Sequence, residues 1–396
     1  MTERLYYTDS YLRSFDAVVR SCDIVDGRPH VVLDRTAFYP SSGGQPFDTG
    51  RLGGQTIVDV IDADTGEVVH VLSGPLDPGA AVHGEIDWPR RLDHMQQHTG
   101  QHMLSAAFDR LIGVRTVSFH LGGEASTIDL AREVSAPEVE RAEAEANLVV
   151  WDDRPVGVRF VSAEEAAELP LRKEPVRGGT LRLVEIADFD LSACGGTHVP
   201  RTGVVGLIAV AGVERFKGAS RVSFVCGGRA LRSHAALRDV VLGATRALSV
   251  TAPEVKGGIE RLQSDARDTS KLIRRLQDDL AVFRAARLRE EAEAIGPHRV
   301  VIRTEPELDG GALKGLASAV VEGSGLVVVF AGRGAPVPVV VARSTDVSID
   351  AAVLLREIVS ELGGRGGGTA SLAQGGLTAT ADAVVAAAKR KLSQQT

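Results

Sequence analysis

The sequence predicts an α+β protein of several domains, and three features of the chain support this prediction. At 396 residues the chain is longer than one hydrophobic core usually serves, which favours two to four domains. Short β-branched segments separated by turn signals occupy the N-terminal part, as expected for an antiparallel β-barrel. A long heptad pattern precedes alternating strands and helices, which indicates a helical stalk followed by a C-terminal α/β domain.

The barrel prediction rests on five short apolar runs within residues 14–87. The runs are separated by turn signals such as Asp26-Gly27, Gly53-Gly54 and Asp64-Thr65-Gly66. This regular spacing of short strands is typical of a small barrel. We therefore assign residues 1–89 to a β-barrel domain that carries a glycine-rich loop.

A two-layer α/β domain is predicted for residues 90–228. After Pro89, apolar residues recur near the helical period until Gly113 ends the pattern. Strand-like runs follow, then an acidic helix from Ala136 to Asn147, then further strands up to residue 226. This mixture of helices and strands favours helices packed on a sheet.

Residues 229–296 are predicted to form a helical, coiled-coil stalk. One helix is expected from Arg229 to Leu248 and a second from Val255 to Ile295, ended by Gly296-Pro297. In the second helix, apolar and small residues alternate at spacings of three and four, which is a heptad seam. The seam consists of Ile259, Leu262, Ala266, Thr269, Ile273, Leu276, Leu280 and Phe283. Two antiparallel helices of one chain and a homodimer zipper both fit this pattern.

The remaining residues, 297–396, alternate strand-like and helix-like segments and predict a small open sheet covered by helices. The segment from Gly363 to Gly376 is the most glycine-rich part of the chain, and we expect it to be a loop. It lacks the GK[ST] signature of a P-loop.

Bulk composition excludes several classes of protein. The net charge of −7 argues against a protein that binds nucleic acid by overall electrostatics, although local basic patches remain compatible with it. The three cysteines, Cys22, Cys194 and Cys226, are too few and too far apart for a disulfide framework, which favours a reducing cytoplasm. No stretch approaches 18 consecutive apolar residues, so we expect no membrane-spanning segment.

Two matching half-sites predict one zinc ion per chain. His98 and His102 are four residues apart on a predicted helix, so both imidazoles face one side. Cys194 and His198 have the same spacing in CGGTH, and a set of nitrogen and sulfur donors favours zinc over hard cations. One HxxxH pair alone more often lies on an ordinary solvated or packed helix face than in a metal site. The presence of a second half-site makes the metal site the more favoured interpretation. His94, one turn earlier, could replace or supplement a ligand.

The two motifs also carry a resemblance to a known family. HTGQH and CGGTH, in this order and separation, look like the paired zinc half-sites of the editing domain in alanyl- and threonyl-tRNA synthetases and in AlaX-type alanyl-tRNA editing proteins. The segment from Asp34 to Gly50 is similar to the glycine-rich loop of the alanyl-type proteins, and GGRGGGTASLAQGG resembles the loop that alanyl-tRNA synthetase shares with DHH-type phosphoesterases. Together the matches cover nearly the whole chain in the long AlaX arrangement, in which residues 90–228 are the zinc editing domain.

The resemblance implies editing without aminoacylation, because we find no class II synthetase core in the sequence. The catalytic half of the DHH phosphoesterases is absent too, since Asp93-His94 is followed by Met95. The implied substrate is alanine tRNA mischarged with serine or glycine, hydrolysed at a zinc-dependent site. No residue is assigned as catalytic, because zinc could act on the substrate or only support backbone amides that bind the oxyanion.

The resemblance also suggests which residues contact the substrate. Residues implied for the amino acid and the terminal adenosine are Gln101, Thr116, Ser118, Gly43, Gly44 and Gln45. Phosphates of the tRNA acceptor end are expected at Arg215, Lys217 and Arg221. A homodimer through the stalk or the C-terminal domain is compatible with the sequence.

Two rival functions stay open at the level of sequence. One is a zinc-stabilised RNA-binding adaptor without catalysis. The other is a metal-dependent peptidase or amidase, but HTGQH lacks the glutamate that follows the first histidine in HExxH and serves as the general base.

Overall fold

The fold is that of a mixed α/β chain with two compact units, Met1–Gly243 and Ala244–Thr396. It is described by a computed structural model that covers residues 1–172 and 179–394. The expected end of the last domain, Thr396, lies outside the described residues. Among the helices described, none has the length and apolarity needed to cross a membrane.

The N-terminal part of the first unit contains eight strands, six of which close into a barrel. The strands are β1 (Glu3–Arg4), β2 (Ser14–Val25), β3 (Arg28–Leu33), β4 (Arg35–Thr36), β5 (Gly50–Leu52), β6 (Gln55–Asp62), β7 (Val68–Leu72) and β8 (Ala81–Ile86). The barrel order is β2-β3-β7-β6-β5-β8 with antiparallel pairing throughout, as predicted for this region. β1 and β4 form a separate parallel pair.

Two of the predicted turn signals make tight hairpins. Asp26 and Gly27 both have positive φ and join Val25 to its partner Arg28. Gly53 and Gly54 do the same between β5 and β6. Two-residue turns with positive φ at both positions match the twist of antiparallel strands, which is why these dipeptides fix the strand register.

The rest of the first unit places two helices against a four-stranded sheet. Its elements are α1 (Trp88–Ile112), β9 (Thr116–Leu121), β10 (Ser126–Leu130), α2 (Ala136–Trp151), β11 (Val156–Val161), α3 (Ala163–Ala167), β12 (Leu181–Ile186), β13 (Asp190–Ala193), β14 (Ile208–Phe216), β15 (Ala219–Cys226) and α4 (Gly227–Leu248). The sheet order is β14-β15-β10-β9, and β11-β12-β13 form a second, three-stranded sheet. Apolar residues of α1, α2 and the larger sheet share one core. The predicted acidic helix continues four residues beyond Asn147.

The second unit contains one six-stranded sheet and its helices. Its elements are α5 (Val255–Glu290), β16 (Glu293–Ile295), β17 (His298–Glu305), α6 (Gly310–Val321), β18 (Leu326–Gly332), β19 (Val337–Arg343), α7 (Ala351–Leu362), β20 (Gly364–Gly368), β21 (Leu372–Leu377) and α8 (Ala381–Gln394). The strand order is β16-β17-β18-β19-β21-β20, and only β17 and β18 pair in parallel.

Two local predictions in this unit were wrong. The helix predicted to reach Ile295 ends at Glu290, because residues 293–295 pair with β17 as an edge strand. The glycine-rich segment predicted as a loop forms the β20–β21 hairpin instead. Added Cβ atoms at Gly366 and Gly368 would lie 2.8 and 2.3 Å from neighbouring atoms, so glycine permits this close pairing.

The seam residues of α5 lie largely in solvent in the single chain. Ile259, Leu262, Leu276 and Leu280 are each 45–57% exposed. The C-terminal end of the helix is packed through Ala281, Ala285 and Leu288, in a core shared with α6, and near the N-terminal end Gly258 is buried. The coiled-coil pairing of this helix therefore stays a prediction.

A buried ion pair joins α1 to the long loop between β4 and β5. Arg91 Nε lies 3.0 and 3.1 Å from the two carboxylate oxygens of Asp48, and both side chains are fully buried. The same guanidinium donates to the carbonyl oxygens of Ser10 and Ala37, at 2.8 and 2.5 Å. The Tyr39 amide donates to Asp48 at 2.6 Å, so every part of the pair is hydrogen-bonded.

The barrel core holds one uncharged histidine. His70 is fully buried, with Nδ1 donating to the Val31 carbonyl at 3.1 Å and Nε2 lying 2.8 Å from the Thr36 hydroxyl. Burial lowers the pKa of His70 to about 4, although the hydrogen bond to Val31 opposes the shift. Between pH 4 and pH 6.5 the folded protein therefore keeps the His70 ring neutral, whereas an unfolded chain would protonate it.

We expect His70 to make the barrel less stable in mild acid. Its folded pKa lies below the unfolded value of 6.5, so its contribution is complete above pH 6.5 and is lost as the pH falls towards 4. Between pH 7 and pH 5 the loss is about 2 kcal/mol, at 1.36 kcal/mol for each pH unit below 6.5. Urea unfolding of His70→Gln at both pH values should show a correspondingly smaller decrease than the parent chain. His234→Gln, at an exposed position of α4, is the control and should keep the full decrease.

Candidate metal and substrate site

α1 presents the first half-site. The Asp87 carboxylate accepts from the Arg90 amide at the start of the helix, Pro89 occupies the first turn, and Gly113 ends it with φ +64°. Within this frame His98 and His102 are one turn apart, and their ring centroids are 5.4 Å from each other. The helix thus directs both imidazoles to one point.

The segment after β13 presents the second half-site. Cys194 and His198 lie at the two ends of CGGTH, with Cys194 Sγ 3.4 Å from His198 Nε2. An added Cβ at Gly196 would lie 2.1 Å from His98 Cε1, whereas one at Gly195 would make only ordinary contacts with the Tyr7 side chain, at 3.6 and 3.8 Å. The close packing therefore requires glycine at position 196 but not at position 195.

The four donor atoms form one cluster. The ligand atoms of His98, His102, Cys194 and His198 all lie within 4.8 Å of one another. The three histidines are buried and the cysteine is half-buried. Three imidazole nitrogens and one thiolate at this separation suit a tetrahedral metal ion with soft and borderline ligands, such as zinc.

Each histidine of the cluster uses its Nδ1 in a hydrogen bond, which leaves Nε2 for a metal. His98 Nδ1 donates to Gln45 Oε1 at 2.8 Å, and His102 Nδ1 donates to Asp190 at 2.9 Å. His198 Nδ1 lies 3.1 Å from the Thr99 hydroxyl. Such outer contacts fix the tautomer and the ring orientation of ligating histidines, so these residues fit a bound metal.

The charges of the cluster favour the metal-binding forms of Cys194 and His198, but not that of His102. Burial raises the pKa of the Cys194 thiol, but the imidazoles of His98 and His198 outweigh it and hold that pKa well below its usual range. Burial lowers the pKa of His198 to about 3. Burial also opposes charge on His102, but the hydrogen bond to Asp190 raises its pKa to about 9, so metal binding has to displace that proton.

A cavity of about 160 Å³ adjoins the cluster. His98, His102 and Cys194 form one wall, and four of the six predicted substrate residues, Gly43, Gln101, Thr116 and Ser118, also line it. The other two are placed differently. An added Cβ at Gly44 would lie 3.0 Å from the Phe119 ring. Gln45 is buried and bonds His98 and Thr197, so it holds the site from behind.

The three predicted tRNA contacts lie on the β14–β15 hairpin, and two of them are already ion-paired. Arg215 binds the Glu133 carboxylate at 2.7 Å, and Arg221 binds Asp129 at 2.7 Å. Lys217 occupies the turn with φ +50°, with Nζ 5.0 Å from the centroid of the Phe216 ring. Asp129 also accepts from the Ser118 hydroxyl at 2.6 Å, which connects the hairpin to the cavity wall.

Several residues of the site were missed in the sequence. Asp190, which supports His102, also binds Arg172 at 2.6 Å, and Arg172 lines the cavity. Asp190 lies just before CGGTH, so its position could have suggested a carboxylate partner for a ligating histidine. Arg182 gave no such signal, because its partners are backbone carbonyls. Its guanidinium donates to Cys194 and Gly196 at 2.7 and 3.0 Å and so holds the CGGTH segment.

His94 is not part of the cluster. It is buried on α1, and within residues 1–172 and 179–394 its Nδ1 has no hydrogen-bond partner. Burial lowers its pKa to about 4. The four-residue set within 4.8 Å does not include it, so the idea that His94 replaces a ligand has no support from the geometry.

Comparison with known proteins identifies three matching family models. The model "Threonyl and Alanyl tRNA synthetase second additional domain" matches residues 181–222, which include CGGTH. The model "tRNA synthetases class II (A)" matches residues 14–90, which are the six barrel strands and the first residues of α1. The DHHA1 domain model matches residues 298–394.

Relatives match along nearly the whole chain. The "Alanyl-tRNA editing protein AlaX-L" of Pyrococcus horikoshii is 33% identical over 99% of this chain and 98% of its own length. The alanine–tRNA ligases of Pyrococcus abyssi and Pyrobaculum neutrophilum are 31% and 36% identical over 94% of this chain. The chain spans 42% of the length of each of these ligases.

The two glycines of CGGTH provide a matched test of the metal site. We expect the purified chain to bind about one zinc ion, and Cys194→Ala or His198→Ala to lose it. Gly196→Ala should lower zinc affinity by about tenfold or more, because the new methyl group displaces the His98 ring. Gly195→Ala should retain zinc. The measurement is zinc content by elemental analysis together with competition against a chelator. Equal affinities of the two alanine variants would contradict the close approach of Gly196 to His98.

Proposed function

We propose that this chain, which belongs to the AlaX-type family of alanyl-tRNA editing proteins, hydrolyses the ester bond of alanine tRNA mischarged with serine, in a zinc-dependent reaction without aminoacylation. The observation that supports it most directly is the opening of the donor cluster onto a small cavity. Glycine esters are a second substrate in this proposal.

The size of the cavity favours an aminoacyl group. Its volume of about 160 Å³ lies below the roughly 300–1,000 Å³ of pockets for drug-sized ligands. A small amino acid attached to a terminal ribose can insert its side chain there while the nucleotide stays outside. A peptide substrate would need a longer groove.

Zinc held by the four side chains can polarise the ester carbonyl or orient the amino group of the substrate. The chain itself supplies the positions of the groups. Gln45, Asp190 and Thr99 hold the three histidine rings, and Arg182 holds the backbone that carries Cys194. These contacts keep the donors in place before any ligand arrives, as expected of a preorganised site.

Backbone amides are suitable partners for the oxyanion. The Gln45 amide donates to the Ser42 carbonyl at 3.0 Å, so it is already used. Gly43 and Gly195 line the cavity from opposite segments, and we assign the oxyanion contact to their amides. Hydrolysis of an aminoacyl ester needs only modest activation of water, so this proposal requires no strong general base.

Selectivity against correctly charged alanine depends on one hydroxyl group. A site that hydrogen-bonds the serine hydroxyl disfavours alanine, because the buried polar groups of the site would then lose their partner. Gln101, Thr116 and Ser118 supply polar groups on the cavity wall.

The adaptor alternative predicts zinc and RNA binding but no hydrolysis.

A peptidase of the HExxH type is disfavoured by the residue that replaces its glutamate. Thr99 follows His98, and its hydroxyl is engaged with His198 Nδ1 and with the Val199 amide. No carboxylate therefore occupies the position of the general base in that class.

We propose that the chain divides into a barrel (1–89), an editing domain (90–228), a stalk (229–296) and a C-terminal domain (297–396), and that parts outside the cavity bind the tRNA. Arg215, Lys217 and Arg221 are proposed to lie near its acceptor end. Dimerisation through the stalk or the C-terminal domain remains part of this proposal. It is motivated by the exposed apolar seam of α5.

The proposed activity predicts preferential release of serine. Zinc-loaded protein should deacylate seryl-tRNA(Ala) faster than alanyl-tRNA(Ala), by about tenfold or more if one buried hydrogen bond discriminates. A chelator should abolish the reaction, and added zinc should restore it. Acid-precipitable radioactive amino acid measures both rates. If the zinc-loaded protein leaves seryl-tRNA(Ala) at the level of a protein-free control, the adaptor alternative replaces the hydrolase.

The second unit should contribute affinity more than chemistry. Two weak contacts on one tRNA act together through effective concentration, which raises affinity by roughly 10². A chain that ends at Val250 should keep its zinc and its single-turnover rate at saturating enzyme, but should need about 100-fold more protein for half saturation. Equal half-saturation of the two lengths would exclude a tRNA contact beyond residue 250. A lower maximal rate with zinc retained would mean that the second unit helps to build the active site.

A further inference from the structure

Ser105 lies behind the cavity wall, on the turn of α1 that follows Gln101. It is fully buried and is not among the residues that line the cavity, whereas Gln101 and Thr116 both are. We propose that Ser105 is a positioning residue that makes Gln101 and Thr116 present hydrogen-bond acceptors to the substrate, and thereby selects the serine hydroxyl. This inference rests on the proposed deacylase function and specifies how its cavity recognises the amino acid.

The hydrogen bonds to Ser105 determine how the side-chain amide of Gln101 and the hydroxyl of Thr116 are oriented. Gln101 Nε2 donates to Ser105 Oγ at 2.8 Å. The Thr116 hydroxyl donates to the same oxygen at 2.8 Å. A serine oxygen has two lone pairs, so these two donors fill its acceptor capacity.

The consequence for Thr116 follows from its single hydrogen. A threonine hydroxyl has one hydrogen, and that of Thr116 is directed to Ser105. The lone pairs of Thr116 Oγ1 are then the groups available to a ligand. Thr116 therefore meets the cavity as an acceptor.

Gln101 is left with an acceptor that has no partner. Its amide nitrogen is directed to Ser105, and its Oε1 is buried without a hydrogen bond among residues 1–172 and 179–394. The whole residue is only 3% exposed. A buried acceptor without a partner is unfavourable, so a ligand that donates a hydrogen bond at this point gains more than one that does not.

Two acceptors on one wall distinguish amino acids by their donors. The hydroxyl of serine can donate to Gln101 Oε1 or to Thr116 Oγ1, whereas the methyl group of alanine and the hydrogen of glycine cannot. The amino group is common to all three and does not discriminate between them. We therefore expect the site to prefer seryl over glycyl esters as well as over alanyl esters.

The position of Ser105 in the chain supports a local arrangement. Gln101 and Ser105 are four residues apart on α1, so their side chains share one face of the helix. Thr116 is the first residue of β9, directly after the turn that follows α1. Gln101 and Ser105 thus lie within one helix and Thr116 at the start of the next strand, and a change at Ser105 alone should release both of its partners.

The test uses full-length, zinc-loaded protein and substrate analogues that cannot be hydrolysed. The probes are 3′-seryl-, 3′-glycyl- and 3′-alanylamino-3′-deoxyadenosine, in which an amide replaces the ester. Dissociation constants are measured by calorimetry for the parent chain, Ser105→Ala, Thr116→Val and Thr116→Ser. Zinc content is measured for each variant.

We expect Ser105→Ala to weaken binding of the seryl probe about tenfold while binding of the glycyl probe changes less than twofold. Thr116→Val, which has nearly the same shape but no hydroxyl, should reproduce this loss. Thr116→Ser, which keeps the hydroxyl, should retain most of the preference for serine. Zinc content should be unchanged throughout.

Two kinds of result would overturn the inference. If Ser105→Ala weakens the seryl and glycyl probes equally, Ser105 supports only the packing of α1. If Ser105→Ala weakens neither probe, Ser105 does not orient Gln101 and Thr116. Either result leaves the deacylase proposal standing as long as the parent chain releases serine from tRNA. A parent chain that binds no probe and hydrolyses no aminoacyl-tRNA would overturn both.

Discussion

The ion pair between Arg91 and Asp48 connects two segments that are far apart in sequence and that both reach the donor cluster of His98, His102, Cys194 and His198. Arg91 lies on α1, two turns before His98, and Asp48 lies three residues after Gln45. By fixing the loop between β4 and β5 against α1, the pair brings Gln45 Oε1 to within 2.8 Å of His98 Nδ1. A buried pair adds little net stability, but loss of one partner costs about 3–5 kcal/mol, so the loop position is strongly determined. The orientation of the His98 ring depends on this contact.

Close backbone approach is the second requirement of the site. Gly100 lies inside HTGQH, and an added Cβ there would be 2.3 Å from Cys226 Sγ, so α1 can lie against β15 only with glycine at this position. Gly196 plays the same part where CGGTH meets the His98 ring. Each half-site motif thus combines two candidate ligands with one glycine at which another segment approaches closely, β15 at Gly100 and the His98 ring at Gly196. Arg182 then secures CGGTH through carbonyl groups alone.

Nearby carboxylates balance much of the positive charge of the β14–β15 hairpin in this acidic protein. Arg215 and Arg221 on the β14–β15 hairpin are paired with Glu133 and Asp129, so much of their positive charge is already balanced. Both pairs are partly exposed and thus weak, which allows a phosphate to compete for the guanidinium groups. Neutralised arginines release fewer counterions on binding, so the tRNA affinity that the proposed function requires would have to come from several contacts over a larger area. This is consistent with a long chain that carries a second unit.

The sequence by itself determined the features that depend on local periodicity and on single residues. Helical spacing placed His98 and His102 on one face, CGGTH supplied the second pair, and the dipeptides Asp26-Gly27 and Gly53-Gly54 specified tight turns. Only the tertiary structure decided which neighbours support these groups. Gln45 was expected to touch the substrate but is hydrogen-bonded behind His98, and Ser105 gave no signal because its partners come from another turn and another strand. The glycine-rich segment 363–376 carries no alternation of side chains from which a strand could be predicted. It becomes a hairpin because β19 offers it an open edge, and such pairing between distant segments is not encoded in local sequence.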